Sequence, residues 1–304
     1  MAGEVLVEVD GRRLRLSNLD KVLYPEDGFT KGDVIDYYSR VAPVLAPHLL
    51  DRPVTFRRFP DGVAKPGFFE KNASRHSPEW IRTVTIETPG SSTGAESLDF
   101  ALLCDLPSLV WAANLAGLEL HVPQWTVGAR GGKRHPDRLV FDLDPGPPAT
   151  IVECARVALR LRELLTDDGL DVVAKTSGSK GMQLYAAVTT ASDTRTSDYA
   201  KAMAERLEKE LPDLVVSRMA KNLRPRKVFI DWSQNNPNKT TVAPYSLRAR
   251  PLPTASTPLT WAEVAACRAP EDLVFTADDV LDRVEEHGDL FAPLLAGKAP
   301  RLPR

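Results

Sequence analysis

Apolar residues along the chain recur with two spacings, which predict helices and strands in alternation. Spacings of three to four residues predict helices, and shorter alternating or wholly apolar runs predict strands. The helices are expected at 31–49, 150–168 and 197–211, and the strands at 54–59, 138–143, 171–176, 183–188, 214–217 and 227–232. Thr30 is suited to cap the first helix, Thr150 with Glu153 forms a capping-box pattern, and Gly169 is suited to end the second helix.

The order of these elements indicates an α+β (mixed α/β) fold. A strand, a helix, a strand hairpin, a second helix and two further strands follow one another, which favours sheets with antiparallel pairing. The segment PGSSTG at 89–94 is expected to be a loop, and 261–304 is expected to form peripheral helices. No internal repeat divides the chain, so we expect a single domain over 1–304.

Composition is that of a globular protein. The 304 residues are 43% hydrophobic and 26% charged, which suits a chain with a sizeable core. There is no run of 18 apolar residues, and the N-terminus has no apolar signal segment. Cys104, Cys154 and Cys267 lie far apart, which predicts neither a disulfide framework nor a zinc site and favours a reducing cytoplasm.

Charge is unevenly distributed along the chain. The formal net charge is −2, but the stretch 271–289 alone contains eight acids against one arginine, so the remainder is net positive. Five Lys or Arg residues occur within 218–227 without an acid between them. A solvated surface explains such a cluster as well as an anionic partner does, and the motifs below favour the partner.

Two carboxylates share one face at the end of the predicted strand 138–143. Strand alternation turns Asp142 and Asp144 away from the apolar Leu139 and Phe141. Two unpartnered carboxylates so close repel each other, and a divalent cation such as Mg²⁺ or Mn²⁺ relieves the repulsion. For this pattern alone, a turn-capping Asp144 beside a surface Asp142 is an equally good explanation.

A third carboxylate lies in the predicted strand 227–232. Val228 and Ile230 are expected to pack on one side, which leaves Asp231 on the other. An acid in so apolar a strand is unfavourable unless a cation meets it. Three such carboxylates together form the usual site for two metal ions in phosphoryl or nucleotidyl transfer.

The segment TSGSKG at 176–181 joins two predicted strands and is suited to hold an anion. Its small residues let backbone N–H groups face a phosphate, and Lys180 adds a positive charge. The spacing is not that of a Walker A loop, and for the loop alone a plain hairpin turn is the better explanation. Arg224, Arg248 and Arg250 add guanidinium groups, which suit phosphate oxygens.

In their order, FDLDPG, TSGSKGMQLY and KVFIDWSQNN…APYSLRAR resemble the three signature motifs of the archaeo-eukaryotic primase superfamily. More narrowly, the chain resembles the polymerase domain of bacterial ligase D over nearly its whole length, including SNLDKVLYP and PGFFEK. The resemblance implies central β-sheets flanked by helices, with a DNA-end-binding part over 1–130, a motif-bearing core over 131–260 and C-terminal helices over 261–304. The start at Met1, the ending LAGKAPRLPR and the lack of ligase or phosphoesterase motifs favour a stand-alone homologue.

The resemblance also implies roles for single residues. The catalytic, metal-binding aspartates are Asp142, Asp144 and Asp231. The implied nucleotide-binding residues are His121 near the sugar, Ser177, Lys180 and Arg224 at the triphosphate, and Arg57, Gly181, Gln183, Gln234, Arg248 and Arg250. Many relatives have histidine where this chain has Gln183, and a glutamine can donate a hydrogen bond to a phosphate but cannot carry a proton.

The DNA-contacting residues implied by the resemblance lie in the first quarter of the chain. Asn18, Lys21 and Lys31 correspond to a pocket for the 5′-phosphate of the downstream strand. Phe68 and Phe69 correspond to an aromatic pair that stacks on template bases.

The implied activity is template-directed nucleotidyl transfer that fills short gaps or extends broken ends. The implied cofactors are two Mn²⁺ or Mg²⁺ ions, and the substrates are nucleoside triphosphates, with ribonucleotides expected to be preferred. The implied partners are DNA with a 5′-phosphate, a DNA ligase and an end-binding protein, in a bacterial cytoplasm near the nucleoid and away from membranes. End joining and excision-gap repair are both compatible with these features.

Two other functions remain open from the residues. A metal-dependent phosphohydrolase of the haloacid-dehalogenase type also has two aspartates after a strand, but it normally has Thr or Val where this chain has Gly146. A non-catalytic DNA-end adaptor would bind the phosphate without incorporating nucleotides.

Overall fold

The computed structural model describes residues 3–74, 77–88 and 95–303, and the loop expected at 89–94 lies outside them. In chain order the helices are α1 (Lys31–Leu49), α2 (Leu106–Asn114), α3 (Ile151–Asp167), α4 (Arg195–Glu210), α5 (Trp261–Ala266) and α6 (Ala277–His287). The strands are β1 (Glu4–Val9), β2 (Arg12–Ser17), β3 (Val22–Tyr24), β4 (Phe29–Thr30), β5 (Pro53–Arg58), β6 (Phe68–Glu70), β7 (Thr83–Glu87), β8 (Ser97–Leu102), β9 (Gly117–Val122), β10 (Arg138–Pro145), β11 (Val172–Thr176), β12 (Met182–Ala187), β13 (Val215–Val216), β14 (Val228–Asp231), β15 (Thr241–Val242) and β16 (Pro258–Leu259).

The helices begin where local capping chemistry allows. Thr30 and Thr150 each cap a helix through a capping box, the first with Asp33 and the second with Glu153. A capping box satisfies backbone N–H groups that have no partner within the helix. The predicted bounds of α1 and α3 are thereby confirmed to within a residue or two, and α4 begins two residues earlier than predicted.

One six-stranded sheet holds the sequence motifs. Its strand order is β13-β14-β10-β12-β11-β16, and every neighbouring pair is antiparallel except β13 with β14. One face of this sheet and the apolar faces of α3 and α4 form a shared core that includes Phe141, Leu161, Met203 and Ile230. The other face carries polar side chains in one part, and a smaller apolar cluster that includes Val140, Tyr185 and Phe291 covers another part.

A second sheet has the order β15-β9-β5-β8-β7, with β6 paired to β5. Helices α1 and α2 pack with this sheet in another core, to which α6 adds Ala277, Val280 and Leu281. Only the strand 54–59 of this sheet was predicted from the sequence. The α+β class is confirmed, and within the described residues no helix is both long and apolar enough to cross a bilayer.

Candidate active site

The three predicted aspartates lie on neighbouring strands of the motif-bearing sheet. Asp142 on β10 is directly opposite Asp231 on β14, and Asp144 is opposite Phe229. Opposite residues of an antiparallel pair have Cβ atoms about 4.5–5.5 Å apart and point to the same face. Asp144 lies two residues beyond Asp142 and shares its face. The register therefore brings together two acids from β10 and one from much later in the chain.

These carboxylates crowd negative charge that nearby cations offset only in part: Lys180 and Arg224 act on Asp144, and Lys239 Nζ lies 3.9 Å from Asp231 Oδ2. Burial, and then the charge of Asp144, raises the pKa of Asp142 to about 7. Burial also raises the pKa of Asp144, although the nearby charge of Lys180 opposes the rise. Asp231 Oδ1 accepts from the backbone N–H of Ser233 (3.1 Å), and Oδ2 accepts from Gln234 Nε2 (3.0 Å).

Among the residues that the structure describes, no group of three or more His, Cys, Asp or Glu side chains is placed so that it could hold a metal ion. The carboxylate of Asp231 is bonded to its own turn, through the backbone N–H of Ser233 and Nε2 of Gln234. The donor set nevertheless fits a hard divalent cation, because it consists of carboxylate oxygens on one face, and burial followed by the charge of Asp144 raises the pKa of Asp142.

A buried chain of hydrogen bonds fixes Gln183. Lys175, which is fully buried, donates from Nζ to Gln183 Oε1 (2.6 Å) and to Ser256 Oγ (2.7 Å). The hydroxyl of Tyr185 donates to the same Oε1 (3.2 Å). The amide Nε2 of Gln183 therefore points to Asp142 Oδ1, at 3.1 Å. The donor that we expected to meet a phosphate is thus committed to a carboxylate.

The turn after β11 has a backbone that only glycine accommodates. Gly178 has a φ of +63°, which favours glycine. A Cβ on Gly181 would lie 2.3 Å from Leu143 O, so any side chain there would clash. Ser177 Oγ accepts from the backbone N–H of Gly181 (3.1 Å). Lys180 extends from this turn as an exposed cation that acts on Asp144.

Asp142, Asp144 and the turn line one cleft of about 230 Å³ between the two sheets, and Asp231 is not in its lining. Of the residues predicted from the sequence, it is lined by His121, Asp142, Asp144, Ser177, Lys180, Gln183, Gln234 and Arg248. Ser179, Thr240, Thr241 and Val242 also line it and were not predicted. The cleft therefore combines acidic and basic groups in a space of small-molecule size.

Five residues predicted to bind metal or nucleotide are not part of this lining: Arg57, Gly181, Arg224, Asp231 and Arg250. The guanidinium of Arg224 stacks on the Phe229 ring at 3.7 Å and donates to Met219 O at 2.8 Å, although its charge still lowers the pKa of Asp144 against the effect of burial. Arg250 is exposed and lines a neighbouring cavity of about 280 Å³, which also includes Gly178.

A buried carboxylate that no sequence pattern singled out connects three predicted residues. Glu119 is 1% exposed and contacts Arg57 Nη1 (3.1 Å), His121 Nε2 (2.9 Å) and Arg248 Nε (3.4 Å). Burial alone would raise the pKa of Glu119, but the hydrogen bond with His121 and the charge of Arg248 outweigh it and lower the pKa to about 2. The sequence contained one signal for this contact. Glu119 lies two residues before His121 in an otherwise apolar segment, and alternation along a strand puts both side chains on one face.

The predicted aromatic pair lies beside this group. Phe68 and Phe69 are 47% and 61% exposed, which is unusual for large apolar side chains. The Phe69 ring meets His121 edge-on at 5.8 Å, and Arg57 lies 5.6 Å from its centroid. Burial lowers the pKa of His121, although Glu119 opposes the shift.

The three residues predicted to hold a 5′-phosphate are neighbours at the start of α1. The backbone N–H of Lys21 donates to Asn18 O (3.0 Å), and that of Lys31 donates to Lys21 O (2.8 Å). Burial, and then the charge of Lys21, lowers the pKa of Lys31 to about 8. Asn18 and Lys21 line a cavity of about 600 Å³. Lys31 is not in its lining, and its Nζ donates to Ser17 O at 2.5 Å.

Comparison with known proteins gives consistent matches. The family model described as "LigD, primase-polymerase domain" matches residues 30–291. The multifunctional non-homologous end joining protein LigD of Mycolicibacterium smegmatis is 44% identical over 283 residues, which are 93% of this chain and 36% of that protein. The bifunctional non-homologous end joining protein LigD of Bacillus subtilis is 32% identical over 279 residues, 91% of this chain and 43% of that protein.

A solved structure matches over almost the whole fold. It is the polymerase domain from Mycobacterium tuberculosis ligase D in complex with DNA, with a TM-score of 0.87 and 42% identity. The match covers 95% of this chain and 99% of that one. The chain thus spans little more than a third of the length of the M. smegmatis relative but nearly all of this polymerase domain.

Proposed function

The chain belongs to the family of LigD primase-polymerase domains, and we propose that it is a template-directed nucleotidyltransferase that fills gaps or extends broken ends of DNA. The observation that carries the proposal is the strand register that sets Asp231 opposite Asp142, with Asp144 on the same face. Asp142 and Asp144 line a cleft that also contains Lys180 and Arg248. Acids on one side and cations on the other suit a metal-bound triphosphate.

Asp142, Asp144 and Asp231 would hold two Mg²⁺ or Mn²⁺ ions. Such ions, when bound, lower the pKa of an attacking hydroxyl and neutralise the leaving pyrophosphate. To take part, Asp231 would exchange its hydrogen bonds with Ser233 and Gln234 for contacts with an ion. Both of those bonds are near the surface, so water can replace the carboxylate as their partner.

The cations around the cleft would bind the triphosphate. Lys180 is exposed and free to meet phosphate oxygens, while Ser177 stiffens the turn that carries it. Arg248 is anchored to Ser177 O at 2.6 Å and to the carboxylate of Glu119, so its guanidinium is held in place before a nucleotide binds. Groups that are ordered beforehand lose less entropy on binding and stabilise the developing charge better.

Asn18, Lys21 and Lys31 would bind the 5′-phosphate of a downstream strand. The charge of Lys21 helps to lower the pKa of Lys31, and a phosphate beside both would remove this repulsion. Lys31 is also the first residue of α1, where the helix dipole favours an anion. Phe68 and Phe69 would stack on template bases, since both rings are exposed. The Phe69 ring lies beside His121, and Arg58 lies over the Phe68 ring.

We also propose that the three parts of the chain have the functions that the resemblance implies. A single domain over 1–304 would bind the DNA end through 1–130 and perform the chemistry with 131–260, while 261–304 would support the core. End joining is the setting we propose, because the relatives are named as end-joining proteins. A DNA ligase and an end-binding protein would then be partners, near the nucleoid of a bacterial cytoplasm.

The test is primer extension on a gapped duplex, with and without a 5′-phosphate, using ribo- or deoxyribonucleotides with Mn²⁺ or Mg²⁺. We expect templated addition of one or a few nucleotides that is faster on the phosphorylated gap. Asp231→Asn should abolish addition while leaving binding to the phosphorylated gap unchanged. Phosphate-dependent binding without any addition would instead identify an adaptor, and phosphate release from small phosphoesters without addition would identify a phosphohydrolase.

A further inference from the structure

The two oxygens of the buried Glu119 carboxylate have different partners. Oε1 accepts from Arg57 Nη1 (3.1 Å) and the backbone N–H of Ala249 (3.1 Å), and it faces Arg248 Nε at 3.4 Å. Oε2 faces His121 Nε2 alone, at 2.9 Å. One oxygen thus holds the surrounding cations and the other holds the histidine ring.

This arrangement determines which ring nitrogen of His121 carries the proton. An ionised carboxylate can only accept, so Nε2 must be the donor. Burial lowers the pKa of His121, which keeps the ring neutral near pH 7. A neutral imidazole has one protonated nitrogen, so Nδ1 presents a lone pair. Among the described residues Nδ1 has no hydrogen-bond partner, and the ring lines the cleft.

We propose that Glu119 is a positioning residue that keeps His121 in the Nε2–H tautomer, so that Nδ1 accepts a hydrogen bond from a hydroxyl of the incoming nucleotide's sugar. This inference rests on the proposed polymerase function. A ribose has a 2′-hydroxyl that can donate this bond, and a deoxyribose does not. Glu119 thereby determines that the 2′-hydroxyl donates to the ring rather than accepts from it, without touching the sugar.

The substitution Glu119→Gln makes a specific prediction about the tautomer. The donors of Arg57 and Ala249 both require an acceptor at the Oε1 position. The amide oxygen will therefore occupy that position, and the amide NH₂ will face His121. Because an NH₂ group can only donate, Nε2 must lose its proton and Nδ1 must gain it. The variant should thus convert the Nδ1 acceptor into a donor while keeping the side chain's size.

The chain offers a matched control in the pair His48–Asp289. Asp289 Oδ2 lies 2.9 Å from His48 Nε2, the same distance as in the Glu119–His121 pair. His48 is fully buried and packs against Phe291, and neither His48 nor Asp289 lines the cleft. Asp289→Asn therefore removes an equivalent carboxylate–histidine contact at a distance from the nucleotide.

Two measurements test the proposal. The first is the ¹⁵N spectrum of the histidine rings near pH 7, with the His121 signals assigned through their loss in His121→Asn. The wild type should show Nε2 protonated, and Glu119→Gln should show Nδ1 protonated. The second is the ratio of kcat/KM for ATP to that for its 2′-fluoro-2′-deoxy analogue opposite template thymine, because a 2′-hydroxyl both donates and accepts whereas a 2′-fluorine cannot donate. This ratio should fall about 3- to 10-fold in Glu119→Gln, the range that one net hydrogen bond provides, and stay unchanged in Asp289→Asn.

The outcomes are distinct. A wild-type His121 protonated at Nδ1, or an unchanged sugar ratio in Glu119→Gln, overturns the proposal. So does a fall in the ratio when Glu119→Gln is made in a His121→Asn background, since no ring is then left to position. Complete lack of incorporation by the wild type would overturn the polymerase function, but the nitrogen spectrum would still report whether Glu119 sets the tautomer.

Discussion

Replacement of Asp142 by asparagine is expected to abolish nucleotide incorporation and to stabilise the fold at the same time. Burial, and then the charge of Asp144, raises the pKa of Asp142 to about 7. An acid that is harder to ionise in the folded chain than in the unfolded chain weakens folding wherever it is ionised. Asparagine keeps the shape and an oxygen that can accept from Gln183, but it removes the charge.

The magnitude follows from the pKa. A rise from 3.8 to about 7 corresponds to at most about 4 kcal/mol of lost folding free energy for the ionised carboxyl. Because Asp142 lines the cleft, water screens its charge, and we expect asparagine to add about 1–3 kcal/mol to the free energy of unfolding.

The sign of the pH dependence is also determined. Between about pH 4 and pH 7 the folded wild type binds more protons than the unfolded chain, so its stability falls relative to the variant as pH rises. The difference should be largest above about pH 7 and should vanish below about pH 4.

The assay is urea denaturation of both proteins in the presence of a chelator, at several pH values from about 5 to about 8. Asp289→Asn serves as a control in which the change in stability is expected to have the opposite sign. Although burial alone would raise the pKa of Asp289, the hydrogen bond with His48 outweighs it and lowers the pKa, so its loss should destabilise the protein at pH 8. An Asp142→Asn protein no more stable than wild type at pH 8 would refute the repulsion argument, and one that still incorporates nucleotides would refute the metal assignment.

Three further substitutions test other parts of the structure. Lys31→Gln should weaken binding to a gapped duplex about tenfold only when the 5′-phosphate is present, because one charged contact is lost; equal loss without the phosphate would contradict this. Lys175→Met should reduce incorporation about 10- to 100-fold by releasing Gln183, with circular dichroism unchanged. Gly181→Ala would set a Cβ 2.3 Å from a backbone oxygen, so it should lower the free energy of unfolding measured in urea by about 2 kcal/mol or more. The control Gly132→Ala, whose Cβ would have nothing within 4 Å, should leave that free energy unchanged.

Sequence reasoning predicted the local elements well because they depend on residues close together in the chain. The threonines that cap α1 and α3 bond to acids three residues away, so each helix start is visible in a short window. The shared face of Asp142 and Asp144 follows from strand alternation alone. The resemblance to a polymerase family then indicated which distant residues act together.

Strand β9 and its chemistry were missed for a physical reason. Its six residues include both Glu119 and His121, which interrupt the apolar pattern that marks a buried strand. Those polar side chains are tolerated inside because Arg57 and Arg248 approach from other elements. No short window contains that information.

The sequence by itself therefore determined the bounds of α1, α3 and α4, five of the six strands of the motif-bearing sheet and the face that Asp142 and Asp144 share, because capping and alternation act between near neighbours. Only the tertiary structure decided that Asp231 stands opposite Asp142, that Gln183 donates to a carboxylate and that Arg250 lies outside the cleft. Register and buried hydrogen bonds depend on how distant segments pack against one another, and that packing is a property of the whole chain.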